Sequence, residues 1–450
     1  MTLPMTLPIE RNDSAADALA TAWRAGAEVV VLTPAGGVVD PAAVDRLLAF
    51  LAEQPDVDLA YSDPALPGTG HLRLPAWSPE RLRGHDYLLG LVAIRRSAYE
   101  RTTGLDPATG AHQWHDLWLR LAETGSVIRH LRGPGVALPT PPTTPDPQGQ
   151  AAVVQAHLDR LGVPARAEPA PIAGYTRLHR RPTYDGLASL IVPTRGGSGP
   201  AFGADRNYLL AFIADVEARS YTVEHEWIVV ADVTDDRAYL EDLRALAPKR
   251  LRVVDYAKPF NFAEKCNLGA LHADGKVLVF LNDDMAVISD GWLDTLVAIA
   301  DDDTVGSVGA VLRTDDGLLQ HAGHVYAKAG PYHAYHGSAA NEGHLGELVV
   351  DREVSGVTAA CLAQRRSAWE AVGGFSELFG NNFNDVDYCL KLGQRGYRNV
   401  LACSVELHHF ESRTRVSTVD PAETELLFNR WRHRMTVDPY TVGGPGRGSR

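Results

Sequence analysis

Cysteine is scarce in this chain, with four in 450 residues: Cys266, Cys361, Cys389 and Cys403. Their spacing forms neither the paired pattern of a zinc site nor a disulfide framework, so buried thiols in a reducing compartment are expected. Basic residues are also short. Lys and Arg number 43 against 56 Asp and Glu, a formal net charge of −13. That balance argues against a nucleic-acid partner, which asks for a basic face, while leaving room for a local patch that binds phosphate. No apolar run approaches the length of a membrane span, and the opening "MTLPMTLPIERNDS" lacks the pattern of a signal peptide. A cytoplasmic location is therefore expected, with peripheral contact at the inner face of the membrane left open. What remains is ordinary globular composition, 45% hydrophobic and 22% charged, in a chain long enough for two domains.

The clearest boundary is the proline-rich stretch "GPGVALPTPPTTPDPQGQ" at residues 133–150. Proline removes backbone donors and holds the chain extended, so this reads as a linker, and "AAVVQAHLDRLG" then reads as a connecting helix. Beyond it, strand and helix patterns alternate as in an α/β domain. "ASLIVPT", "HEWIVVAD", "KRLRVVDY" and "KVLVFLNDD" are strand-like, and "NYLLAFIADVEAR", "RAYLEDLRALA" and "AEKCNLGALHADG" are helical, the last closed by glycine. In open parallel sheets ligands bind beyond the carboxyl ends of the strands, which places Thr194, Asp232 and Asp283–Asp284 on one rim.

Three features carry chemistry. "NDD" at Asn282–Asp284 ends a strand with adjacent carboxylates, a donor set that suits Mg²⁺ or Mn²⁺ together with phosphate oxygens. Taken alone it fits an Asx turn or a helix cap better. "NDVDYCLKL" sets Asp385 and Asp387 at a helix start, where acids are also simply favourable to the dipole. "VELHHFES" ends an apolar strand in His408 and His409, a pair that alone is more often structural. Together the three suit one reaction: a metal-held diphosphate departs while a separate carboxylate takes a proton from an attacking hydroxyl. "LLQHAGHVYAKAGPYHAYHG" concentrates histidines at 321, 324, 333 and 336, but their spacing suits no standard zinc cluster. This stretch is expected to be a loop bordering an acceptor channel, with Tyr332 and Tyr335 stacking on sugars or packing.

In order, "LIVPTR", "PFNFAEKCNLG", "FLNDD", "LLQHAGHVY", "VSGVTAACLAQRR", "VGGF", "NFNDVDYCLKL" and "HHFES" make residues 189–415 resemble a family 2 glycosyltransferase. The resemblance implies an α/β, GT-A (Rossmann-like nucleotide-diphospho-sugar transferase) catalytic domain at 188–415 and inverting transfer in one displacement. It implies metal binding by Asp284, Asp283 and His409, with His409 chosen over His408 because Glu411 sets the register of His-x-Glu-Ser. Asp385 takes the base position. Pro193, Thr194, Arg195, Asp232, Asn267, Asn282 and Asp283 fall at nucleotide-sugar positions, and Thr358, Gly374, Asn384 and Asp387 at acceptor or donor-sugar positions. Implied partners are a UDP, dTDP or GDP sugar, a hexose or deoxyhexose, and a glycan or lipid-linked acceptor in cell-surface polysaccharide synthesis, with Mn²⁺ or Mg²⁺ as cofactor. Departures are Ser376 at the usual acid after "GGF", the long glycine-rich turn "RGGSGPAFGADR", and the absence of Asp-Asn-Gly-Ser after the strand ending at Asp232. The alternative is a catalytically silent glycan-binding or assembly protein.

Residues 1–132 resemble a second, truncated copy of the same fold. "LVAIRRSAYERTTGLDP" parallels "TAACLAQRRSAWEAVGGFSE", and "VVVLTPAGGVVDPAAV" parallels "VLVFLNDDMAVISDGWL". The copy carries Thr33-Pro34-Ala35 in place of the acids and Trp114 in place of Asp385, while Asp116 parallels Asp387. It is expected to be non-catalytic, a scaffold or a glycan-binding unit. Residues 416–450 are expected to form a C-terminal helix and a tail disordered beyond Tyr440.

Overall fold

The computed structural model describes residues 8–441, apart from 13, 69, 141–145, 234–236, 247–249 and 411–418. Glu411 and the tail beyond Thr441 lie outside the described residues. The chain divides into two compact units, Met1–His179 with His344–Gly346, and Arg180–Gly343 with Glu347–Arg450. Among the described residues, no helix is long and apolar enough to cross a membrane.

In the first unit, strands β1 (Ile9–Arg11), β2 (Val29–Pro34), β3 (Val38–Val39), β4 (Leu59–Leu66), β5 (Val92–Arg95) and β6 (Ile128–Ala137) form a sheet of order β1-β2-β5-β4-β6-β3. Helices α1 (Ala15–Arg24), α2 (Pro41–Glu53) and α3 (Gln113–Glu123) cover it. The segment expected as linker and connecting helix, 133–187, falls largely inside this unit. Strand β6 continues to Ala137, and helix α4 (Pro147–Leu161) buries Val154 and Leu158 in the same core as Leu117 and Leu121 of α3. The prolines conceal a helix start: Asp146 caps the helix by accepting from Gly149 N at 3.0 Å, and Pro147 occupies its first turn, where no amide donor is needed.

The second unit is built on strands β7 (Leu187–Thr194), β8 (Glu224–Asp232), β9 (Leu251–Tyr256), β10 (Val277–Leu281), β11 (Met285–Val287), β12 (Val305–Arg313), β13 (Cys361–Arg365) and β14 (Arg398–His409). Their order is β9-β8-β7-β10-β13-β12-β14-β11. Strands β7, β8, β9 and β10 run parallel, with Thr194 level with Ala231 and Ile191 level with Phe280. The central strands are mostly apolar because helices cover both faces, and two cores result. One lies under α5 (Tyr208–Glu217) and α7 (Trp292–Ala300), the other under α6 (Phe262–His272) and α8 (Asn384–Gln394). Helix α6 does not end on a glycine cap as expected. Ala273 is extended after His272, and Gly275 answers to a close approach, since a Cβ there would lie 2.4 Å from Leu187 O. A final helix, α9 (Pro421–Trp431), follows the sheet.

The two sheets share an order. Reading β1-β2-β5-β4-β6-β3 beside β7-β10-β13-β12-β14-β11, the successive pairings are parallel, antiparallel, antiparallel, parallel and antiparallel in both. Among the described residues, the first sheet has no counterparts of β8 and β9.

Candidate active site

Strand ends assemble the site. β7 delivers Pro193 and Thr194, and β10 is followed by Asn282, Asp283 and Asp284. β11 pairs antiparallel with β14 so that Met285 lies opposite His409. That register carries His409 to the acids: its Nε2 is 3.2 Å from Asp284 Oδ1 and 2.9 Å from Asn282 Nδ2. Thr194 Oγ1 donates to Asp283 Oδ2 at 2.5 Å and itself accepts from Gly196 N at 2.9 Å. Burial, and then the neighbouring Asp284 charge, push the Asp283 carboxyl well above its ordinary value. Burial also opposes ionisation of Asp284, but His409 and Asn282 outweigh it and hold Asp284 below the usual carboxylate range.

Around these acids lies a cavity of about 360 Å³. It is lined by Pro193, Thr194, Arg195, Asn282, Asp283, Asp284, Thr358, Asn384, Asp385 and His409, all expected from sequence. Phe260, Gln320, His324, Tyr332, His333 and Asn381–Phe383 are among its other lining residues. The histidine-rich stretch thus contributes His324, Tyr332 and His333 to the cavity, whereas Tyr335 turns away and donates to Glu347 Oε2 at 2.5 Å. Asp385 stands in the first turn of α8, where Val386 N donates to its Oδ1 at 2.8 Å and Ala359 N to its Oδ2 at 3.2 Å. Two residues earlier the backbone is held under strain, since Phe383 has φ of 59°, an unfavourable region for a side chain with Cβ.

Four residues expected at the site are not among its walls. Asp387, fully buried, accepts from Arg430 Nη1 at 2.7 Å and Trp431 Nε1 at 2.8 Å, tying α8 to α9. Asn267 brackets Phe375, donating to its carbonyl and accepting from its amide, each at 2.9 Å. Gly374 is required by that clamp: its φ is 68° and a Cβ would lie 2.5 Å from Asn267 Oδ1. Asp232 faces Lys265, whose Nζ donates to Asp232 Oδ1 at 2.7 Å and to Thr194 O at 2.6 Å. Burial lowers the Lys265 ammonium, while Asp232 opposes the shift.

Sequence reasoning missed several residues that position the site. Lys265 braces the ends of β7 and β8 from within α6. Gln320 Oε1 accepts from His409 Nδ1 at 2.6 Å. Glu423 of α9 accepts from Asn381 N and Asn382 N, both at 3.0 Å, and from Asn382 Nδ2 at 2.7 Å, bracing the strained turn before Asp385. Gln320 opens the quoted "QHAGH" run, but Glu423 lies too far along the chain for any local signal. In the first unit, Trp114 is packed into the core and Asp116 pairs with Arg120, so neither faces a comparable acid pair.

Residues 189–373 match the family model described as glycosyl transferase family 2. The O-antigen biosynthesis protein RfbC of Myxococcus xanthus is 32% identical over 422 residues, 89% of this chain and 32% of that protein. The uncharacterized protein y4gI of Sinorhizobium fredii is 28% identical over 436 residues, 89% of this chain and 46% of that protein. An N-acetylglucosaminyl-diphospho-decaprenol L-rhamnosyltransferase of Mycobacterium tuberculosis is 26% identical over 205 residues, 39% of this chain and 66% of that enzyme. The chain spans 32% and 46% of the length of the two relatives that it matches over most of its extent. With its strand order and the acids at the ends of its parallel strands, the second unit carries a glycosyl transferase family 2 domain of GT-A-like α/β fold.

Proposed function

We propose that the second unit is a metal-dependent inverting glycosyltransferase that moves a sugar from a nucleoside diphosphate to a hydroxyl of a glycan or lipid-linked acceptor. One observation carries this reading: Asp283, Asp284 and His409 converge at one end of a cavity whose lining also includes Asp385. The donor set fits a divalent ion. Two adjacent carboxylates, one with its ionisation disfavoured by burial and by its neighbour, lie beside an imidazole whose Nδ1–H donates to Gln320, leaving Nε2, which accepts from Asn282 Nδ2 at 2.9 Å, as the nitrogen nearest Asp284. When bound there, Mn²⁺ or Mg²⁺ supplies charge stabilisation to a departing nucleoside diphosphate.

The chain's own residues do the rest. Thr194 orients Asp283, and Lys265 fixes the rim that Thr194 ends. Arg195, stacked 4.2 Å over Phe260, offers a cationic and aromatic wall for a nucleotide. Asp385 accepts the proton of the attacking acceptor hydroxyl, its orientation held by the amides of Val386 and Ala359. The names of the relatives, an O-antigen biosynthesis protein and a transferase to a diphospho-decaprenol, support a cell-surface glycan or lipid-linked acceptor.

We read residues 1–132 as a non-catalytic copy of the same fold. The shared strand order supports this, as do Thr33-Pro34-Ala35 and Trp114 at the positions of the acids.

Thermal unfolding with UDP, dTDP and GDP, each with and without Mn²⁺, tests the main reading. Nucleotide at a hundred times its Kd stabilises by about 2.7 kcal/mol, and the shift should require metal and vanish in Asp284→Ala. No shift with any nucleotide would favour a catalytically silent glycan binder.

A further inference from the structure

His321, His324 and His333, scattered through a stretch whose spacing matches no standard cluster, are brought together by a turn and the hairpin His324–Ala327/Gly330–His333. One ligand nitrogen from each lies within 4.8 Å of the others. Their rings are mutually near-perpendicular, at 79–83°, with centroids 4.8–5.0 Å apart for all three pairs. Imidazoles bound to one ion at 2.0–2.1 Å, splayed tetrahedrally, have centroids roughly 5 Å apart. The trio already has that spacing.

We propose that His321, His324 and His333 form a second metal site, for a zinc-class ion, separate from the carboxylate site at Asp283 and Asp284. The assignment stands whether or not Asp385 is a catalytic base. Three nitrogens and no carboxylate form a borderline-soft donor set, unlike the oxygen-rich set that suits Mg²⁺ or Mn²⁺. His324 is only 2% exposed, and its Nδ1 has no hydrogen-bond partner among the described residues. On its other side, Nε2 faces Asp385 Oδ2 at 3.8 Å. Nδ1 is thus left for a ligand, and Asp385, near Nε2 though beyond hydrogen-bond length, is placed to become the carboxylate partner that orients a metal-binding histidine once drawn in.

Burial holds all three imidazoles below their ordinary pKa, with neighbouring histidines adding to the effect at His321 and His333, and Asp385 opposing it at His324. His321 Nδ1 faces His333 Nδ1 at 2.8 Å, and His321 Nε2 accepts from Thr358 N at 3.2 Å. Ligation through Nδ1 moves the His321 proton to Nε2, where it displaces the Thr358 amide. Loading is thereby coupled to Thr358, a residue of the cavity wall. The site is reached from that cavity, which His324 and His333 line.

The full-length protein, stripped with a chelator and titrated with Co²⁺, should develop the visible absorption of a tetrahedral, nitrogen-ligated ion at one equivalent per chain. His324→Ala and His333→Ala should each abolish the band, whereas Asp284→Ala should leave it intact. Asp385→Asn should weaken Co²⁺ binding about 10- to 100-fold. His333 is half-buried, so its variant carries the test if His324→Ala fails to fold by circular dichroism. A wild-type protein without the band would overturn the site. So would a band that survives His333→Ala and disappears in Asp284→Ala.

Discussion

His409 Nδ1 donates to Gln320 Oε1 across 2.6 Å, and this bond decides which face of His409 looks at Asp284. With the proton on Nδ1, the opposite nitrogen is left to accept from Asn282 Nδ2 at 2.9 Å, with Asp284 Oδ1 3.2 Å away. Gln320→Leu removes the acceptor and frees the imidazole to adopt the other tautomer. Outer partners of metal-binding histidines typically contribute 10- to 100-fold in affinity, so the Mn²⁺ concentration for half-maximal nucleotide-dependent stabilisation should rise by about that factor. An unchanged Mn²⁺ requirement would mean that Gln320 serves packing alone.

Asp385→Asn keeps size and removes the basic oxygen. General-base catalysis contributes about 10²- to 10⁴-fold, so release of nucleoside diphosphate in the presence of acceptor should fall by that range. The nucleotide-induced thermal shift should survive, because the acids that would hold the metal are on other elements. A variant with near-normal transfer would remove Asp385 from the base role.

Asp387 makes the opposite prediction although it lies two residues away. It is fully buried against Arg430 and Trp431, so Asp387→Ala strands two donors and should cost about 2 kcal/mol of stability, read as a lower urea midpoint. Donor affinity at temperatures where the variant is folded should change little. A large loss of donor affinity with unaltered stability would return Asp387 to the sugar site.

The difference between these two acids shows how far the sequence could be read. Residues two apart on a helix point to different sides, so Asp385 and Asp387 cannot both face one ligand. The first unit repeats the lesson: it keeps Asp116, which pairs with Arg120, and replaces the other position with Trp114. What persists in both units is the structural acid, each on a helix. Strand ends were legible because β7, β8 and β10 are continuous apolar runs stopped by polar residues, and parallel strands put those stops on one rim. Asn267 and Gly374 lie in a turn clamp and not in the cavity wall, and sequence does not separate the two because a turn clamp and a ligand contact ask for the same residue types. Glu423 could not have been found at all, since its role depends on α9 returning 41–42 residues later to the turn before Asp385. The three histidines were dismissed on spacing, and a hairpin, which sets spacing in space instead of in sequence, brings them together.

His115 in α3 predicts how the first unit responds to acid. It is 1% exposed, and its Nε2 donates to Leu82 O at 2.7 Å. Burial, the largest influence, lowers its pKa from the ordinary 6.5. Below that value the unfolded chain binds a proton that the folded chain refuses, so stability is complete above it and declines as pH falls through the window beneath. The slope from one such group is at most about 1.4 kcal/mol per pH unit. Urea midpoints measured downward from neutral pH should fall, with a shallower fall in His115→Gln, whose amide can keep the bond to Leu82 without taking up a proton. Identical slopes in the two proteins would mean that the acid sensitivity of the chain arises elsewhere.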